Sequence, residues 1–268
     1  MTDLTPYVDL WWSSIDDFTH LLEELTEEEW SAPTDLPGWS VRDVAAHTAH
    51  LEHVLSGGRH EHVELGEVPH VRNPMGQFTE QGIVSRRGHS TDDLVNEIRE
   101  SATATHTAIL ADTTPVADAP ALGPFGAVGW TNRTLWTNRP IDLWMHEQDI
   151  RRATGRPGTF DSPGAQHTVD HLSDTLGLVL GKRAQATPGT TLRVEIDGHA
   201  PRAWQVTDAG RGEGLTEVPD DADVTLTFSR ESFALLAGGR RPVDQVTVGV
   251  GGDEEVAQRV LATMAVTP

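Results

Sequence analysis

Near the start of the chain Trp11, Ile15, Phe18, Leu22 and Leu25 follow one another at spacings of 4, 3, 4 and 3 residues. That rhythm draws one narrow apolar seam down a single helix and commits it to packing against near-parallel neighbours. A strand cannot satisfy it, because successive side chains of a strand change face. The first half of the chain is therefore expected to be a helical bundle.

The segments that follow fit this expectation. Thr34-Asp-Leu-Pro-Gly-Trp39 is turn-forming, and Ser40-Val-Arg-Asp43 has the pattern of a capping box opening a second helix that runs to about Leu55. The Gly-, His- and Pro-rich stretch Ser56 to Asn73 reads as a long loop, and Pro74 to Arg87 as a short helix. Ser90 is placed to cap a third bundle helix carrying Leu94, Ile98, Ala102 and Ile109. Residues 112–130 read as loop, and Pro140 suits the first turn of a fourth helix ending near Gly155.

After Gly155-Arg-Pro157 the rhythm changes. One more amphipathic helix (Val169, Leu172, Leu176, Val179) precedes Leu192-Arg-Val-Glu-Ile196, whose period of two and terminal Asp197-Gly198 signal a strand entering a hairpin. Ala203 to Val206, Val224 to Phe228 and Val246 to Val250 continue a sheet; Ser229 caps a short helix stopped by Gly238-Gly239, and Asp253 opens a closing helix. The fold class is α+β: a four-helix bundle over 1–156, then a smaller α+β domain over 157–268. A length of 268 residues with 37% apolar content suffices for two cores.

Charge narrows the partners. With 20 Lys+Arg against 41 Asp+Glu the formal charge is −21, which repels phosphate backbones and anionic headgroups and disfavours nucleic acid and membrane surfaces. A small ligand or a protein fits better as a partner, and the chain suits a monomer or a homodimer. The absence of cysteine removes disulfides, thiolate ligands and a cysteine nucleophile together. Met1 to Leu10 lacks the basic and apolar regions of a signal peptide, and no stretch reaches the roughly 20 apolar residues of a membrane span, so a cytoplasmic location is expected.

Thirteen histidines invite a metal reading, and helical geometry sorts them. At about 100° per residue, His47 lies roughly 60–80° from the apolar direction of the second helix, bordering the core, whereas His50 and His53 point about 140–160° away and are expected to be solvated. A rotation of that helix would bring His50 to the place of His47. His167 and His171 lie opposite an apolar face and read as surface, as does the loop pair His60-Glu-His62. On the fourth helix Asp142, His146 and Asp149 fall at i, i+4 and i+7, one stripe flanked by Leu143, Met145 and Ile150. A buried carboxylate and imidazole need either a hydrogen-bond network or a cation. If the bundle turns the second and fourth helices together, His47 joins them as a three-ligand set with open positions. Gly249-Val-Gly-Gly-Asp253 lacks the spacing of a dinucleotide fingerprint and reads as a tight strand-to-helix turn.

Leu36-Pro-Gly-Trp-Ser-Val-Arg-Asp-Val-Ala-Ala-His47 and Ile141-Asp-Leu-Trp-Met-His-Glu-Gln-Asp-Ile-Arg151 closely resemble the mycothiol-dependent maleylpyruvate isomerase family. The resemblance implies a DinB-like metal-binding bundle followed by a sterol-carrier-like domain. It makes His47 and His146 metal ligands, with Asp142 standing where the isomerases place a glutamate. Nitrogen and oxygen donors without a redox requirement point to zinc. Mycothiol would then supply the missing thiol, its sulfur on the open metal position as a nucleophile toward a small electrophile. Asp149 is expected either to orient a ligand or a neighbouring arginine, or to anchor the helix to a loop. Arg240, in the stretch resembling the second domain, is the candidate for binding a substrate carboxylate.

Three functions compete on this basis: a metal- and mycothiol-dependent S-transferase or isomerase, a metal-assisted hydrolase that activates water, and a non-catalytic metal-stabilised binding or carrier protein.

Overall fold

The computed structural model describes residues 3–111 and 116–267. The chain forms two compact units, one ending at Gly158 and the other beginning at Thr159. Of the expected loop 112–130, residues 112–115 lie outside the described residues.

The first unit contains α1 (Thr5–Glu23), α2 (Glu27–Trp30), α3 (Val41–Leu55), α4 (Pro74–Arg86), α5 (Thr91–Ala111), α6 (Gly123–Ala127) and α7 (Asn132–Thr154). Helix α1 packs on α5 and α7, and α3 packs on the same two, so the four long helices close into a ring. The 4-3-4-3 seam explains the first side of that ring: Trp11, Ile15, Phe18 and Leu22 are all buried in its core, and Leu25, just past the helix end, packs against it partly buried. Helix α4 lies on α3. The capping box forms at α3, where Ser40 Oγ accepts from Asp43 N–H at 3.3 Å and Asp43 Oδ2 accepts from Ser40 N–H at 2.9 Å. Ser90 and Asp93 make the same reciprocal pair before α5.

Two expectations are corrected in this unit. Residues 123–127 form α6 within the expected loop. Pro140 does not open a helix but sits inside α7, which begins two turns earlier where the Thr131 side chain accepts from Thr134 N–H. Proline forfeits one backbone hydrogen bond there, and the buried side chains of Leu135 and Trp136 anchor the preceding turns against the core. Helix α7 ends at Gly155, whose φ of 65° is the left-handed cap that glycine adopts without steric cost.

The second unit runs α8 (Pro163–Asp174), α9 (Leu176–Leu178), a π-helical turn (Val179–Arg183), β1 (Thr191–Ile196), β2 (Arg202–Val206), β3 (Gly212–Gly214), β4 (Val224–Phe228), α10 (Arg230–Ala237), a 3₁₀ turn (Val243–Gln245), β5 (Gly249–Gly252) and α11 (Glu254–Ala262). The sheet order is β3-β2-β1-β4-β5, with β1 and β4 parallel and every other pair antiparallel. Leu192, Val194 and Ile196 of β1, with Val224, Leu226 and Phe228 of β4, share a core with Val169, Leu172, Phe233, Leu236, Val260 and Leu261 from the helices. Ser229 caps α10 and Asp253 caps α11.

Strand β3 is unexpected. Its Gly-Glu-Gly sequence has no apolar alternation, and it exists because its backbone closes on a helix: a Cβ at Gly212 would fall 2.2 Å from the carbonyl oxygen of Gly177. The last strand begins at Gly249 rather than Val246, since only Gly249 to Gly252 pair with β4. Among the described residues no helix is long and apolar enough to cross a membrane.

Candidate metal centre

The contact between α3 and α7 brings His47 of the first against Asp142 and His146 of the second. His47 Nε2 stands 3.7 Å from Asp142 Oδ2, and His146 Nε2 stands 3.5 Å from Asp142 Oδ1. The two imidazoles meet edge to face with centroids 4.9 Å apart. Both histidines are buried, while the Asp142 side chain is 31% exposed and so opens the cluster toward solvent.

Two of the three donors are aimed by a partner. His146 Nδ1 donates to Asp149 Oδ2 at 3.1 Å, which leaves its Nε2 facing Asp142. Asp149, fully buried, in turn accepts from Arg152 Nη2 at 2.5 Å, and Arg152 Nε donates to Asp35 Oδ2 at 2.6 Å. Asp149 thus contacts both His146 and a neighbouring arginine. Asp142 Oδ2 accepts from Arg139 Nη1 at 2.7 Å. Arg139 is buried, and its other terminal nitrogen donates to Glu52 Oε1 at 2.5 Å; that oxygen also accepts from Trp11 Nε1 at 3.2 Å. Trp39, from the Pro-Gly-Trp turn, lies 5.2 Å from the His47 ring and 6.0 Å from the His146 ring, and its indole donates to the buried Glu80.

The electrostatics follow from this packing. Burial lowers the pKa of His47, and Asp142 restores only part of the loss, so its imidazole is held neutral. Burial opposes charge on His146 too, but Asp142 and Asp149 on either side outweigh it and raise its pKa. Asp142 pays the same burial penalty, yet His146 and Arg139 hold its carboxyl well below the usual range.

The residues fit a divalent cation. One ligand atom from each of the three lies within 4.8 Å of the others. Donors around a tetrahedral zinc with bonds of about 2.0–2.1 Å stand about 3.4 Å apart, close to the two nitrogen-to-carboxylate distances here. Among the described residues the buried Nδ1 of His47 has no hydrogen-bond partner, so the ring's polar contact is its Nε2 facing Asp142.

Matches to known families decide what the chain is related to. Residues 11–151 match the mycothiol maleylpyruvate isomerase N-terminal domain, and residues 166–259 match the C-terminal domain of the same proteins. This chain belongs to that family. Among its relatives are uncharacterized proteins from two strains of Mycobacterium tuberculosis, 25% identical over 265 residues, with 97% of this chain and 95% of the relative covered. A crystal structure of the mycothiol-dependent maleylpyruvate isomerase has a similar fold, with a TM-score of 0.56 at 18% identity over 92% of this chain and 93% of the other. A histidine-to-alanine mutant of that isomerase matches with a TM-score of 0.54.

The other sequence candidates fall elsewhere. Arg240 lies in the second unit, where its Nη1 donates to the Gly238 carbonyl at 2.7 Å. His167 and His171 are half-buried, stack at 6.1 Å, and join neither metal-competent group found among the described residues. The solvated reading of His50 is wrong. It is fully buried, because α4 and the preceding loop cover the face that α3 alone would leave outward, and Phe78 lies 4.7 Å from its ring. Burial and the nearby Arg86 push its pKa down to about 3. His60 and Glu61 are half-buried, and of the three residues only His62 is exposed. Sequence reasoning missed Arg139 and Glu52. Extending α7 back through Pro140 would have set Arg139 three residues before Asp142, on the same face.

Proposed function

We propose that this protein is a divalent-metal-dependent enzyme that uses mycothiol, acting as an S-transferase or as a cis-trans isomerase on a small electrophile. The observation that carries the reading is the meeting of His47, Asp142 and His146 from two helices at ligand spacing, in a family that includes a mycothiol-dependent isomerase. His47, Asp142 and His146 would hold the ion, with zinc suited to their nitrogen and oxygen donors. When bound, such an ion supplies Lewis acidity, which lowers a thiol pKa from about 8.5 and so makes thiolate available at neutral pH.

The chain's own residues prepare the site for that partner. Asp149 accepts a hydrogen bond from the Nδ1–H of His146 and so fixes its tautomer. Arg139 neutralises part of the Asp142 charge and holds the carboxylate in place. Trp39 covers the imidazoles on one side, while the partial exposure of Asp142 marks the side open to solvent. The chain has no cysteine, so the nucleophilic sulfur must come from a cosubstrate. Arg240 is retained as the candidate for a substrate carboxylate.

The test is turnover. Zinc-loaded protein is expected to conjugate mycothiol to a model electrophile, or to isomerise an activated cis double bond only when mycothiol is present, with His146→Ala losing the activity. Turnover that proceeds equally without any thiol would replace this reading with metal-assisted hydrolysis.

A further inference from the structure

A second cluster in the helical unit plays no part in the function proposed above. His50 on α3 and His60 in the loop before α4 face each other, with His50 Nε2 3.0 Å from His60 Nδ1. Glu61 Oε2 stands 3.9 Å from the same His50 nitrogen. One donor atom from each of these three residues lies within 4.8 Å of the others.

The tautomer of His60 can be read from its neighbours. Gln81 Nε2 donates to the Val63 carbonyl at 3.0 Å, which fixes the amide orientation and leaves Gln81 Oε1 as an acceptor. His60 Nε2 lies 3.0 Å from that oxygen and must carry the proton. Its Nδ1 is therefore a lone pair aimed at His50. A histidine whose far nitrogen is tied to an amide oxygen, leaving the near one bare, is arranged as metal ligands usually are. The other nitrogen of His50, Nδ1, is buried without a hydrogen-bond partner among the described residues.

Charge in the cluster is shared between one guanidinium, which lies close enough to His50 to lower its pKa, and two carboxylates. The buried Arg86 guanidinium donates to both oxygens of Glu61, at 3.1 and 3.2 Å, and to both oxygens of Glu97, at 2.6 and 2.9 Å. One positive group thus faces two carboxylates, so Arg86 is shared and does not neutralise Glu61 alone. The approach of the elements is also specific: a Cβ at Gly82 of α4 would fall 2.1 Å from the His50 ring.

We propose that His50 Nε2, His60 Nδ1 and Glu61 form a second divalent-cation site, separate from the one formed by His47, Asp142 and His146. Two nitrogens and one carboxylate oxygen suit zinc or a similar first-row ion.

The experiment is metal stoichiometry on the purified full-length chain, stripped with chelator and then equilibrated with Zn²⁺ alone. The wild type is expected to hold two ions per chain, and His60→Ala and His146→Ala one each. Gln81→Ala frees His60 Nε2 and is expected to weaken the second ion about 10- to 100-fold while leaving the first unchanged. Because the chain lacks cysteine, His60→Cys offers a gain of signal: the cobalt-loaded variant should show a sulfur-to-cobalt charge-transfer band with no thiol added. The proposal is overturned if the wild type holds no ion, or a single ion that His60→Ala keeps and His146→Ala loses. It is also overturned if a folded His60→Cys variant that retains its first ion shows no band. The cluster is then a hydrogen-bond chain in which His50 Nε2 donates to His60 Nδ1. A single ion lost in His60→Ala but kept in His146→Ala supports this site and contradicts the ligand set of the proposed function.

Discussion

Asp149 accepts the Nδ1 proton of His146 at 3.1 Å from a fully buried position one helical turn away, so the orientation of the imidazole is set by a carboxylate on its own helix. Asp149→Asn keeps the shape but turns a charged acceptor into an amide. Metal affinity at the His47, Asp142 and His146 site is expected to fall about 10- to 100-fold, with helical content retained. Titration with a competing chelator measures this, and an unchanged affinity would remove Asp149 from the site's support.

The Arg139–Glu52 pair is buried on both sides. Glu52→Leu leaves the buried guanidinium with one of its two carboxylates, Asp142, and is expected to cost about 3 kcal/mol in urea denaturation, whereas Glu52→Leu combined with Arg139→Met should recover part of that loss, since Asp142 and the Trp11 indole each lose a partner. A double variant as unstable as the single one would mean that the pair contributes more than mutual neutralisation.

Gly155 ends α7 with φ 65° in open space, where an added Cβ meets nothing within 4 Å. Gly155→Ala is therefore a pure backbone test, expected to lower stability by about 1 kcal/mol, with Gly155→Asn milder. Denaturant midpoints of the two variants check the order.

Hydrogen bonds from Arg156, and then from the Thr26 backbone, lower the Glu29 carboxyl to about 2. A carboxylate depressed in the folded state adds stability above its unfolded pKa of about 4.5 and loses it as pH falls toward about 2. Glu29→Gln should thus be less stable than wild type at pH 7, with the gap narrowing steadily below about pH 4.5. A gap that is constant with pH would show that the Glu29 charge is not involved.

What could be read from sequence was whatever a single element encodes. The α1 seam and the Ser40–Asp43 box depend only on local spacing, and both form as that spacing requires. The stripe of Asp142, His146 and Asp149 was legible for the same reason. Pro140 misled because its preference for a first turn is weaker than the burial of Leu135 and Trp136 before it. His50 misled because a helix read in isolation contains no information about the loop and helix that come to cover it. Strand β3 was invisible because its stability lies in the Gly177–Gly212 approach, not in any side-chain pattern. Glu52 and Arg139 stand 87 residues apart in sequence and meet only once the ring of helices closes.

The central claim is that His47, Asp142 and His146 present an ion to a borrowed thiol. Titrating mycothiol into cobalt-loaded wild-type protein tests it most directly, since the chain has no sulfur ligand of its own except methionine. A saturable sulfur-to-cobalt charge-transfer band is expected, absent in His146→Ala and retained in His60→Ala. A cobalt spectrum indifferent to mycothiol, or a band that persists in His146→Ala, would contradict it.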